Sequence, residues 1–162
     1  MRLLPLLLFI SILLSCKNSS DDTAVRQTIE SVYAKPDPYH NQALDTAVFS
    51  IALDSLVKAA KEVEKMDRER VLKSEYPTDK PKLIEGEIFA GLYEGYTSFT
   101  VEHVEIKESQ AKAVLAFENK NYNTQWNDTL VLSREKGWKL NDVCYGKGGS
   151  LYALLGQFIK GE

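Results

Sequence analysis

The chain has 162 residues, with 20 Lys and Arg against 23 Asp and Glu, a net charge of −3 and two cysteines. A mildly acidic surface without a basic stripe argues against nucleic acid or anionic lipid as a partner. The length suits one domain able to bury a sizeable core.

Arg2 supplies a positive start, and Leu3 to Leu14 form an apolar run broken only by Pro5 and Ser11. A spanning helix needs about 20 apolar residues. This run is shorter and ends in small and polar side chains, as a cleaved export signal does. Leu13-Leu14-Ser15-Cys16 resembles the lipobox of bacterial lipoproteins, in which the cysteine is acylated and becomes the first mature residue. Leu14 is bulkier than the residue usual there. The resemblance implies a signal peptide over residues 1–15 and a stable membrane anchor at Cys16, since several acyl chains hold where one holds only marginally. Cys144 is then the only thiol left, and no internal disulfide is expected.

Residues 16–22 read as a lipidated tether, because Lys17 to Asp22 is polar and small with no apolar residue to fold around. Lys17 at the second mature position resembles lipoproteins sorted to the outer membrane. Ser20-Asp21-Asp22 resembles the acidic tags that place some of them on the cell surface rather than the periplasmic face.

From residue 23 onward a single domain is expected. A first helix is predicted from about Asp22 to Ala34, with Val25, Ile29 and Val32 on one stripe and Pro36 and Pro38 ending it. A second is predicted over roughly Asp45 to Leu72, with Val48, Ile51, Ala52, Leu56, Ala59, Val63 and Met66 at helical spacing and the charged remainder solvated. Tyr76 to Pro81 cannot continue it, since each proline lacks an amide donor and restricts its predecessor.

Four segments rich in β-branched and aromatic residues follow: Thr97–Ile106, Ala111–Glu118, Thr124–Ser133 and Gly137–Tyr145. Their spacing is that of an antiparallel meander. Alternation slips within the first, where Phe99 and Val101 fall on one face and Val104 and Ile106 on the other. A bulge near Glu102-His103 would restore one buried face. Gly146 to Gly149 loosens the chain, and Ser150 caps a short closing helix with Leu151, Leu154, Leu155, Phe158 and Ile159. The expected class is α+β: N-terminal helices on a curved antiparallel sheet of four to five strands, with a short C-terminal helix.

Gly137-Trp138-Lys139-Leu140-Asn141-Asp142-Val143 resembles the last-strand pattern of the cone-shaped nuclear-transport-factor-2-like superfamily. Tyr76-Pro77-Thr78-Asp79-Lys80-Pro81, Glu85-Gly86-Glu87-Ile88-Phe89 and Leu92-Tyr93-Glu94-Gly95 resemble a lineage of small envelope lipoproteins within it. The resemblance implies a cone-shaped domain and no particular activity, because the superfamily spans isomerases, dehydratases and members without catalysis.

Strict alternation puts Asp142 on the face of Trp138 and Leu140, where a carboxyl would titrate upward and act as an acid or base. The superfamily's isomerases and dehydratases imply tyrosine or histidine partners in the cavity, for which Tyr93, Tyr96, His103 and Tyr145 are the candidates. A bulge that turns Asp142 outward and seats Val143 in the core is the favoured alternative, since buried unpaired acids are rare. His40, His103 and Cys144 are scattered without metal-ligand spacing, so no metal or cofactor is expected. Cys144 and Trp138 are expected in the core. Gly146-Lys147-Gly148-Gly149-Ser150 lacks the phosphate-loop spacing.

The leading expectation is a non-enzymatic, membrane-anchored lipoprotein that binds a small apolar ligand or another envelope protein. An isomerase- or hydratase-like enzyme using Asp142 is the rival, and an inhibitor or immunity protein the third reading. Cavity geometry separates them: an open cone with Asp142 inside favours the enzyme, and a filled cone favours partner binding.

Overall fold

The computed structural model describes residues 13–40 and 46–161, with side chains of the first helix from Ser19 onward. The architecture is α+β. Helix α1 (Leu13–Val32) leads through a 3-10 turn (Thr46–Val48) to α2 (Ile51–Leu72). Strands β1 (Ser98–Lys107), β2 (Gln110–Asn119), β3 (Thr124–Glu135) and β4 (Gly137–Cys144) follow, and α3 (Leu151–Lys160) closes the chain. The strands pair antiparallel in the order β1-β2-β3-β4, the expected meander.

Register shows how one face becomes the core. Across the sheet run the rows Phe99–Phe117–Trp126, Val101–Leu115–Asp128, Val104–Ala113–Leu130–Val143 and Ile106–Ala111–Leu132–Leu140. Fully burying a large aliphatic or aromatic side chain stabilises by about 1.5–3 kcal/mol, and these rows supply most of the sheet's share. The first strand contributes because Val101 pairs with Leu115 while His103 pairs with Val114, so Glu102 is the extra residue of a bulge. That bulge returns Val104 and Ile106 to the face of Phe99 and Val101. A second bulge in β4 sets Val131 against Asp142 but Leu132 against Leu140, leaving Asn141 extra. It seats Val143 in the core.

The helical layer departs from expectation in two places. Helix α1 begins at Leu13, so Lys17 to Asp22 is helical rather than a structureless tether. The reason is tertiary. Asp21 is buried, and its carboxylate accepts two N–H bonds from Arg134 at 2.6 and 3.0 Å. Arg26 binds Asp22 one helical turn away at 2.8 Å. Val25, Ile29 and Val32 are buried as expected, and Thr28 donates its hydroxyl hydrogen to the Trp138 carbonyl at 3.1 Å.

Helix α2 starts at Ile51 and not near Asp45; residues 41–45 lie outside those described. Ser50 is its N-cap, accepting from the Leu53 amide at 3.1 Å. The inward stripe is Leu53, Val57, Ala60 and Val71, while Ile51 and Met66 of the expected stripe are exposed. Between Ala60 and Val71 the same stripe carries Glu64 and Asp67. These are not simply solvated: Glu64 accepts the Ile84 amide at 2.8 Å and Asp67 the Lys82 amide at 2.6 Å, pinning the chain that passes over the helix.

Segment 84–90 belongs to none of the expected helices or strands. It runs into the middle of the molecule, where Ile84, Ile88, Phe89 and Ala90 are all buried. Phe89 is 0% exposed and stacks on Phe49 with ring centroids 5.3 Å apart. Trp138, at 5% exposure, sits in the core as expected, with the Arg134 guanidinium over its ring at 5.3 Å. Helix α3 is capped by Ser150 and buries Leu151 and Leu155.

Candidate functional site

At the end of the sheet away from the start of α1, the row Phe99–Phe117–Trp126 meets Tyr33 and Tyr96. Phe117 stacks on Trp126 at 5.4 Å, and Tyr33 packs against Phe99, Phe117 and Tyr96 at 5.1, 5.5 and 5.6 Å. Offset and edge-to-face pairs of this kind add about 0.5–1.5 kcal/mol each beyond area burial. The polar tips of two tyrosines tie the inserted segment to this layer. Tyr33 donates to the Phe89 carbonyl at 2.7 Å and Tyr145 to the Ile88 carbonyl at 2.6 Å. The interior that an open cone would leave vacant is filled by these rings and by Phe89.

Two buried carboxylates hold the loops above. Asp128, 1% exposed, accepts the amides of Gly91 at 2.7 Å and Gly146 at 2.9 Å and the Trp126 indole N–H at 2.9 Å. Gly146 is required there, because an added Cβ would lie 2.2 Å from the Asn127 carbonyl oxygen. Glu87, 8% exposed, accepts the amides of Phe89 at 2.7 Å and Asp37 at 3.0 Å. Burial pushes the Glu87 carboxyl up from 4.5 to about 7; the Phe89 amide opposes that rise, and the neighbouring Asp37 charge adds to it.

Glu87 lines a recess of about 180 Å³ together with Pro36, Asp37, Gly86, Tyr93, Glu94, Gly95 and Tyr96. The Tyr96 hydroxyl is buried without a hydrogen-bond partner. Burial and then the Glu87 charge drive its phenol well above the ordinary value. At the rim, His40 binds the Asp37 carboxylate through Nδ1 at 2.7 Å and the Ile84 carbonyl through Nε2 at 3.0 Å. Burial alone would lower its pKa, but these contacts outweigh burial and raise it. Three carboxylates, two tyrosines and no lysine or arginine line the recess, so it accepts positive charge or a hydrogen-bond donor.

The residues singled out from sequence are only partly brought together. Tyr93 and Tyr96 share the recess, with Tyr93 62% exposed. Tyr145 lies beneath it and is spent on the Ile88 carbonyl. His103 is exposed on β1, away from the recess. Asp142 does not enter the interior: it stands opposite Val131 on the outer face, where Oδ1 accepts the Val143 and Tyr152 amides, both at 2.8 Å. Cys144 is half-buried and not a core residue, because the Asn141 bulge gives the inward position to Val143. Burial pushes its thiol up, away from nucleophilic use. The Gly146–Gly149 loop turns the chain into α3 through the positive φ angles of Gly148 and Gly149. Among the described residues no group of three or more His, Cys, Asp or Glu is placed to hold a metal ion.

Glu87 and Asp128 were not singled out from sequence. Asp128 had a readable signal: Trp126, Asp128, Leu130 and Leu132 alternate in phase, which places an acid on the buried face of β3. Glu87 had none of that periodicity, since it belongs to a loop.

No family model matches the chain, and neither a curated protein nor a solved structure matches it.

Proposed function

We propose that this chain is a lipid-anchored envelope protein whose domain recognises a partner protein and performs no catalysis. The filled interior carries the reading. A pocket for an apolar ligand ordinarily offers about 300–1,000 Å³, whereas the centre of this domain is occupied by Phe89, Tyr33, Phe117 and Leu115. Asp142, the acid on which an isomerase-like mechanism would turn, is occupied in holding the start of α3. The lipobox-like Leu13-Leu14-Ser15-Cys16 supports anchoring through Cys16, and among the described residues no helix is long and apolar enough to cross a membrane. The recess at Glu87 is the place on the surface best suited to take a cationic group of a partner. Purification of the acylated protein from membranes, with mass spectrometry of everything retained, tests the reading. A stoichiometric protein partner is expected, and a stoichiometric apolar small molecule would overturn it.

One observation favours a second reading. A buried carboxyl titrating at about 7 beside an unpaired tyrosine hydroxyl is suited to acid–base chemistry. In that case Glu87 replaces Asp142 as the acting acid or base. A cellular phenotype lost in Glu87→Gln, with the partner complex intact, would put this reading first.

A further inference from the structure

We infer that the domain lies on the bilayer in one fixed orientation, with the turns Lys107–Gln110 and Glu135–Gly137 toward the headgroups and the Glu87 recess turned away. The inference rests on acylation of Cys16 and adds to it the surface that meets the lipid. Asp21 follows Cys16 by only five residues. Those residues span roughly 7.5 Å as helix and at most roughly 18 Å fully extended. Asp21 is no part of a loose tether, since it is buried and held by both arms of the Arg134 guanidinium. The acyl chains therefore leave the domain close to Asp21, and whatever surrounds Asp21 faces the membrane.

What surrounds it follows from the direction of α1. The helix runs antiparallel to β1: Ser19, Asp22 and Thr23 lie beside Val104 and Ile106, Arg26 reaches the Val101 carbonyl, and Tyr33 packs on Phe99. The Arg134 amide donates to the Ser109 carbonyl at 2.8 Å, which brings both hairpin turns to the same end. Their exposed side chains mix signs, Lys107 and Lys136 with Glu108 and Glu135, so this end meets zwitterionic headgroups without a net repulsion. The 12 residues of β3 separate this end by about 35–40 Å from the opposite one, where Asn121, Tyr122 and the recess lie. A partner binding there approaches from the aqueous side.

The test uses the full acylated protein in a Cys144→Ser background, with a single labelling site introduced as Ser109→Cys or Asn121→Cys. Each is coupled to a fluorophore and bound to phosphatidylcholine vesicles containing a headgroup nitroxide. The Ser109 probe is expected to be quenched several-fold more than the Asn121 probe. A long Gly/Ser linker inserted after Asn18 is expected to erase that difference while the protein still floats with the vesicles. Equal or reversed quenching in protein that floats overturns the orientation and leaves the anchor standing. Failure of the protein to float with vesicles overturns the anchor, and the orientation with it.

Discussion

Where α1 begins, the polar contacts are ion pairs, Asp21 with Arg134 and Asp22 with Arg26. At the opposite end single carboxylates, Glu87 and Asp128, are buried and hold backbone amides rather than a guanidinium, and the positive charge acting on Glu87 comes from His40 on the neighbouring Asp37. The first arrangement balances charge within the contact, and its partly exposed pairs weaken with salt. At Glu87 that compensation is partial, so the cost of burying its carboxyl depends on whether it is ionised. Between the two ends lies an apolar middle that depends on neither. The apolar core is thus stiff to pH and salt, while the start of α1 responds to salt and the recess to pH.

The largest effect tests the middle. Trp138→Ala should cost about 3–5 kcal/mol, as truncating a buried aromatic does, measured by chemical denaturation. A fully folded variant with unchanged stability would remove Trp138 from the packing that joins α1 to β4. Asp128→Ala should cost about 3 kcal/mol, because it strands three donors at 1–3 kcal/mol each with partial rescue by water. The same experiment decides it, and a cost below that of an ordinary surface substitution would mean that the loops at Gly91 and Gly146 are held by something else.

Glu87 separates the two ends by pH. Its folded carboxyl titrates at about 7 against an ordinary 4.5, so between those values the folded chain keeps a proton that the unfolded chain has released. Stability therefore falls as pH rises through that window and levels off above it, by on the order of 3 kcal/mol. Glu87→Gln should flatten this fall between pH 5 and pH 7. His40, also raised, leaves a smaller loss as pH climbs above 6.5. An undiminished fall in the Gln variant would place the titrating group elsewhere. The smallest effect belongs to Asp142→Asn, which keeps an oxygen for the Val143 and Tyr152 amides and should change stability by less than about 1 kcal/mol. A larger loss, or a lost phenotype, would return Asp142 to functional consideration.

The meander was legible because a strand's two-residue period is local, and because the slip in β1 announces its own bulge at Glu102. The bulge at Asn141 announced itself less clearly. Both placements of Asp142 obeyed the pattern, and only pairing with β3 decides between them. In α2, two interleaved apolar stripes satisfy the helical period. The inward one is chosen by what packs on it, and that includes the amides met by Glu64 and Asp67. The Glu87 recess was the least legible feature. It is made by chain segments 50 residues apart, joined by a carboxylate on the Asp37 amide, and no local period carries that information. The helical state of Lys17 to Asp22 likewise depends on Arg134, far along the chain.

Acylation of Cys16 is proposed to hold this domain on the membrane. Cell fractionation of Cys16→Ala beside the unaltered protein tests it most directly. The variant is expected to move from the membrane pellet to the soluble pool while keeping its fold. A variant that stays in the pellet after a high-salt wash would contradict it.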